Sequence, residues 1–451
     1  MRTIALFIIT LVVAQAIMAG PQGKKDRSKS EGDHPNRNDS GDGRLLSSSP
    51  LALPFKRSWQ YLTENASTHS PTIDGQRIYL PLAGGRVVCL DRETGSLNWT
   101  SEPGGFITSS IATSEKAVFV ATRKIAEDGS DSGASIKSLD KETGLTLWAG
   151  DYPRAFTSPL VLDRATLYAG SADGFLYALS AESGDVIWKV PTQDSVQGRA
   201  LVTAEAVCFG SDDGALRAVE PVSGKEIWKF QTGGKLRGRP AIGEKNIYFG
   251  SGDGHVYAVD LATQRLKWRS RTGAAVEASV VLAGDRVLAA SFDNFIYALD
   301  RESGDRVWKR RVNNRIAAEP IVVGDATMIA PLRGSYIAVF LNADGRSINF
   351  FQLDRGVELV ADPVFSDDTL AIATDRGLVV AKTNQKPEAR SQKPEVRSQN
   401  KDEADFGRPS PGINRETMRK LLASDFWLLT SDFSSLGVPQ CRRHVQTNAA
   451  F

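Results

Sequence analysis

The chain has only three cysteines in 451 residues, Cys89, Cys208 and Cys441, widely spaced and with no two adjacent. That excludes a disulfide framework, even in an oxidising compartment. Four histidines (His34, His69, His255, His444) are scattered without the spacing of metal ligands, so no metal site is expected. Charge of one sign is also lacking. A formal net charge of +2 excludes the strong basic field of a nucleic-acid or anionic-membrane binder. The one long apolar run, Ile4 to Val13, follows Arg2 and precedes small residues. It is short for a membrane span and has the plan of an export signal over residues 1–19, with cleavage after Ala16 or Ala19. No cysteine follows this run closely, the first being Cys89, so no lipid anchor is expected. The expected protein is exported to the periplasm or cell envelope, with no transmembrane span after cleavage.

What the chain has is repetition. Tryptophans stand at positions 59, 99, 148, 188, 228, 268 and 308, so the intervals are 40, 49, 40, 40, 40 and 40 residues. A fixed period of this size marks a repeat architecture. The text around them recurs as "LYALSAESGDVIW" to Trp188, "VYAVDLATQRLKW" to Trp268 and "IYALDRESGDRVW" to Trp308. The long interval holds "RKIAEDGSDSGAS", read as a polar loop insertion that leaves the flanking strands intact.

Each unit reads as four short strands. "AVCFG", "NIYFG" and "RVLAA" are β-branched and aromatic runs, followed by the turn signals "SDDG", "SGDG" and "SFDN" and then by "ALRAV", "HVYAV" and "FIYAL". A second turn leads to the strand with the tryptophan. Four antiparallel strands in about 40 residues make a propeller blade. Blade openings at Ser70, Ser110, Ser158, Arg199, Arg239, Ser279, Glu319 and Asp362 give eight blades over residues 53–384. The seventh has Phe350 near the tryptophan position, and the eighth ends at "GLVVAKT" without a tryptophan strand. The chain starts with an orphan, "FKRSWQYL", which predicts that this N-terminal strand completes blade 8 and removes the open edges of the ring.

Trp59, Trp99, Trp148, Trp188, Trp228, Trp268 and Trp308 are then blade-docking wedges rather than ligand contacts. Each would bury on the order of 150–250 Å², roughly 4–6 kcal/mol of gross transfer energy as an upper bound. Asp173-Gly174, Asp213-Gly214 and Asp253-Gly254 supply the left-handed backbone of tight hairpins. One carboxylate per turn does not make a calcium site.

The pattern Ala-x-Asp-x-x-x-Gly-x-x-x-Trp, clearest at Ala298, Asp300, Gly304 and Trp308, resembles the repeat of the PQQ-like β-propeller family. At Ala258, Asp260 and Trp268 it is kept except that Gln264 replaces the glycine. The resemblance covers nearly the whole ring and implies the fold. For function it implies one of two branches: quinoprotein dehydrogenases holding PQQ and calcium, or non-enzymatic BamB-like scaffolds of outer-membrane protein assembly. The adjacent cysteines that cover the quinone in the first branch have no counterpart here, nor does a blade-opening Glu, Asn and Asp set for calcium. The second branch is therefore expected: a monomeric scaffold binding other envelope proteins, with no catalytic residues, cofactor or metal. The alternative is a PQQ-dependent oxidoreductase, or a sensor of PQQ or a small anion.

A site must still be found in side chains. The opening strand of each blade is expected to line the central channel. Arg199, Arg239, Glu319 and Asp362 share one repeat position, and Arg237 and Glu277 stand two residues earlier on the same strand face as Phe156 and Val360 of other blades. Either these charges pair across blades in a water-filled channel, or they form a polar surface for a partner's acidic loop or an anionic ligand, with the arginines as anchors.

Outside the ring, residues 20–52 are polar and read as a disordered linker, and residues 385–412 as a low-complexity linker with "QKPEARSQKPEVRSQ". The tail, 413–451, is read as disordered or a short helix. QKPEVRSQ can be encoded so that its reverse complement translates as LTSDFWLL, the tail's motif in cyclic order. An inverted DNA repeat would make Trp427 a by-product of nucleotide symmetry.

Overall fold

The computed structural model describes residues 55–126, 129, 131–331 and 333–383, all within one compact unit, Met1–Pro387. The export signal, both linkers, the tail, Cys441 and Trp427 lie outside the described residues.

Strands are the only regular elements among these residues, and they form eight antiparallel sheets, one per blade. Blade 3 shows the plan: Val161–Asp163, Thr166–Gly170, Phe175–Ser180 and Val186–Pro191 pair in sequence order, innermost to outermost. In blade 2 the innermost strand is broken into Phe106–Ile107 and Ala112–Thr113, which both pair with Ala117–Ile125. The insertion before Trp148 proves to be more than a loop. It lengthens the two middle strands of blade 2, Ala117–Ile125 and Asp131–Asp140, and Arg123 stands opposite Ala134. The flanking ladder continues into the inserted residues because their alternation keeps the register.

The core lies between blades. Period-two alternation turns successive side chains of each middle strand to opposite neighbours. Val256 and Ala258 pack with Val287 and Tyr297 of the next blade. Tyr257 and Val259, one step out of phase, pack with Cys208 and Leu216 of the preceding one. Such a sheet is apolar on both faces, as the runs in the sequence indicate.

Each tryptophan seals this joint. Trp268 stands opposite Ala298's counterpart in its own blade, Ala258, across the outer pair of strands. Its Nε1 donates to the carbonyl of Arg301 in the next blade at 3.2 Å. The glycine of the next blade's turn lies under the ring: a Cβ on Gly304 would come within 2.5 Å of the Trp268 indole. The same relation links Trp59 to Gly95, Trp99 to Gly144, Trp148 to Gly184, Trp188 to Gly224 and Trp308 to Gly345. Cys89 fills the small-residue position opposite Trp99, which accounts for a buried cysteine by packing. Trp228 is the exception. Gln264, with φ of 59°, stands at the equivalent turn position of the next blade in place of the glycine, and among the described residues the Trp228 Nε1 has no hydrogen-bond partner.

The ring closes as expected. Phe55–Leu62 pairs with Gly377–Thr383 as the outermost strand of blade 8, with Trp59 opposite Val380. Arg92 of blade 1 locks this joint, its Nε donating to Thr369 Oγ1 at 3.0 Å and Nη2 to the carbonyl of Ser366 at 2.9 Å. Phe350 does occupy the register position of a tryptophan, opposite Ala338, yet it is 64% exposed. Blade 8 takes its fourth strand from the other end of the chain, so it has no glycine turn there to receive a ring.

Candidate functional site in the central channel

Arg199, Arg237, Arg239, Glu277, Glu319 and Asp362 all line one central cavity of about 810 Å³, so the structure brings together every site residue expected from the repeat alignment. Ser70, Ser110 and Ser279 join them at equivalent positions. The strand placement needs correcting. Arg239, Glu319 and Asp362 sit just ahead of the innermost strands Ala241–Ile242, Ile321–Val323 and Val364–Ser366. Arg199 and Ser279 are placed in the same way ahead of Leu201–Val202 and Val281–Ala283, with one residue between in every case. Three equivalents do not face the channel. Ser158 turns into its blade, where its Oγ accepts from the N–H of Gly170 at 2.7 Å. Phe156 and Val360 pack into the joints between blades.

Arg237 is fully engaged. Its Nε and Nη2 donate to the Asp212 carboxylate at 2.9 and 2.8 Å, and its Nη1 to Glu277 at 3.1 Å. Lys235 Nζ reaches the same Asp212 at 3.1 Å. Burial opposes ionisation of Asp212, but the hydrogen bonds from Arg237 and Lys235 outweigh it and hold the carboxyl below its ordinary range. The sequence reading treated "SDDG" only as a turn and missed Asp212. The available signal was that blade 4 has a carboxylate there, as blade 8 does at Asp375, where Ala172, Gly252 and Phe292 stand in other blades.

Arg239 is half engaged. Nη2 donates to Glu319 Oε1 at 2.7 Å and its backbone N–H to Ser279 Oγ at 3.0 Å, while its Nε is buried with no acceptor. Arg199 has no hydrogen-bond acceptor and no carboxylate within 4.0 Å among the described residues. The residue is exposed and lines the cavity. Burial, and then the charge of Arg239, depress its basicity, while Glu319 works the other way. Asp362 has no cationic partner in hydrogen-bonding range. It accepts only the Glu319 N–H at 3.4 Å, and burial, assisted by the Glu319 charge, pushes its carboxyl up to about 6. The two expectations for the channel therefore divide by position: the Arg237 cluster is paired across blades, and the Arg199 side is not.

The lining contains no histidine or cysteine. Among the described residues no three histidine, cysteine, aspartate or glutamate side chains converge to hold a metal ion. No described helix is long and apolar enough to cross a membrane.

The profile of the family described as "Outer membrane protein assembly factor BamB" matches residues 37–151, 132–234 and 212–404. The BamB of Shewanella oneidensis is 25% identical over 128 residues, which are 28% of this chain and 29% of that protein, so the match spans under a third of the relative's length. The crystal structure of BamB from Moraxella catarrhalis superposes with a TM-score of 0.64 at 17% identity, covering 73% of this chain and 99% of that one. The computationally designed Ika8 protein gives a TM-score of 0.61 at 17% identity, over 72% and 98% of the two chains. A computationally designed protein fits nearly as well as a natural one, so these superpositions speak for the fold alone. The eight-bladed ring with its tryptophan-docked repeats, and a family profile that matches from residue 37 to residue 404, place the chain in the PQQ-like repeat family of the outer membrane protein assembly factor BamB.

Proposed function

We propose that the chain is a non-catalytic interaction scaffold of the cell envelope, acting in outer-membrane protein assembly. The observation carrying this reading is the BamB-family match along the entire ring. Its physical counterpart is a closed, sealed cylinder whose polar turns and edges remain free for partners. The chain is exported by its N-terminal signal without lipid attachment, works as a monomer, and binds other envelope proteins. It uses no cofactor. PQQ with calcium is the alternative, and a titration of the purified chain with both, followed by dye-linked alcohol oxidation, tests it. Turnover would make the channel catalytic and overturn the scaffold reading.

The direct test is affinity purification of the tagged, full-length chain from its own envelope, together with quantification of outer-membrane β-barrel proteins after its depletion. Stoichiometric recovery of the assembly machinery and a fall in barrel proteins are expected. Unchanged barrel levels without such recovery would reject the role in assembly.

A further inference from the structure

The unpaired side of the channel is built differently from the paired side, and the difference is chemical. A guanidinium walled in by protein normally finds a carboxylate, because a desolvated charge without a partner is costly. Arg237 follows that rule twice over, with Asp212 and Glu277. Arg199, exposed where it lines the cavity, has no carboxylate partner and leaves its fork free, and its neighbour Arg239 keeps one buried donor, Nε, without an acceptor. Three residues beyond the polar ring, five of the eight segments put an apolar residue into the same cavity: Ile73, Ile242, Leu282, Val322 and Phe365. Its volume of about 810 Å³ is that of an ordinary ligand pocket, for which roughly 300–1,000 Å³ is typical.

We propose that the channel is a carboxylate-binding site in which Arg199 grips the anionic head, Arg239 contributes its unused donor, and the aliphatic belt takes an apolar body. With Asp362 ionised, Arg199 and Arg239 are balanced by Glu319 and Asp362, and a dianion such as phosphate would meet more repulsion from those two carboxylates than a monoanion does. Arginine's planar fork offers two parallel donors to a carboxylate. The belt excludes a head without a body, since nothing else would cover those side chains. A free aliphatic acid and the C-terminus of an apolar peptide share this chemistry. The inference rests on the channel's own side chains and is independent of the scaffold role.

The test is calorimetric titration of the purified full chain with four probes: octanoate, acetate, an N-acetylated tetrapeptide ending in leucine with a free carboxylate, and the same peptide as its amide. Octanoate or the free-acid peptide is expected to saturate at one per chain. The amide is expected to bind at least about tenfold more weakly, as is acetate. Arg199→Gln is expected to weaken the binding probe at least about tenfold and Arg199→Lys less, since the ammonium keeps the charge without the fork. Near-ultraviolet circular dichroism identical to that of the natural chain shows that each variant is folded. Binding of octanoate as tight as that of the peptide identifies a free acid, and binding of the acid peptide alone identifies a chain terminus. Equal affinity for acid and amide, an unchanged affinity in Arg199→Gln, or no saturation by either carboxylate would overturn the proposal.

Discussion

Nη2 of Arg239 lies 2.7 Å from Oε1 of Glu319, a residue 80 positions later and two blades further round the ring. The two face each other through the channel because the ring curves, bringing openings of non-adjacent blades into reach. This ion pair is the internal competitor of any anion that enters. Its neighbour Arg199 carries the same type of charge without such a partner.

Removing the competitor should therefore strengthen binding of the probe. In Glu319→Gln the Arg239 guanidinium loses its carboxylate and becomes available to the ligand. Affinity for octanoate or the acid peptide, whichever binds, is expected to rise about three- to tenfold by calorimetry. A weaker affinity in a folded variant would show that Glu319 positions Arg239 for binding rather than competing for it.

The tryptophan seats predict mutational effects of opposite sign at two equivalent positions. Gly304 has φ of 78°, and a Cβ there would meet the Trp268 indole at 2.5 Å. Gly304→Ala is expected to cost about 2–4 kcal/mol from strain and displacement of the ring. Gln264 holds φ of 59° at the corresponding turn beside Trp228. Gln264→Gly is expected to gain about 0.5–1 kcal/mol, since relief of backbone strain outweighs the added freedom of the unfolded chain. Urea midpoints of the two variants should move in opposite directions.

Arg92 holds together the two ends of the described ring. It is buried, and its partners Asp367 and Asp368 are not, with side-chain exposures of 77% and 43%. Truncation thus leaves carboxylates that water can solvate, and the loss comes from the bonds to Thr369 and Ser366 and from the packing of the stem. Arg92→Ala is expected to cost about 2 kcal/mol. Hydrogen exchange should localise the loss, with Gly377–Thr383 deprotected before the middle strands of blade 4. Uniform deprotection would show that the closing blade is no weaker than the others.

Asp362 gives a pH dependence whose sign can be worked out. Burial raises its folded pKa to about 6 from an ordinary value of 3.8. Between these values the folded chain binds more protons at this site than the unfolded chain does, so its contribution to stability falls as pH rises through the window. Above about pH 6 the penalty is complete, on the order of 3 kcal/mol. Glu319 is the charged group that acts on it, and Arg199 and Arg239 line the same cavity. Carboxylates held low by partners, such as Asp212 and Asp213, act in the opposite sense as acid is added. The informative quantity is the difference between the natural chain and Asp362→Asn: the variant should gain relative stability from about pH 4 to 6. A parallel pair of pH profiles would contradict this assignment.

Much of the fold is written locally. The Trp period, the hairpin turns and the β-branched runs specify blades without reference to distant residues, because a blade is built from neighbouring strands and each needs only the same face from the next. Closure by "FKRSWQYL" was legible as well, since blade 8 lacked a strand and the N-terminal segment lacked a sheet. Alignment of the repeats also placed Arg199, Arg237, Arg239, Glu277, Glu319 and Asp362 at one cavity, because equal positions in equal blades face one axis. Tertiary structure decided what those charges do. Arg237 is saturated by Glu277 and by Asp212, a buried residue of a turn in the preceding blade that it meets only when the blades are assembled. Arg239 selects Glu319, and Arg199 is left over. Repeat spacing determines which residues reach the axis, while pairing depends on side-chain length and direction across a gap of a few ångströms, which no periodicity encodes. Phe350 has the register of a wedge and no seat, because the seat belongs to the neighbouring blade.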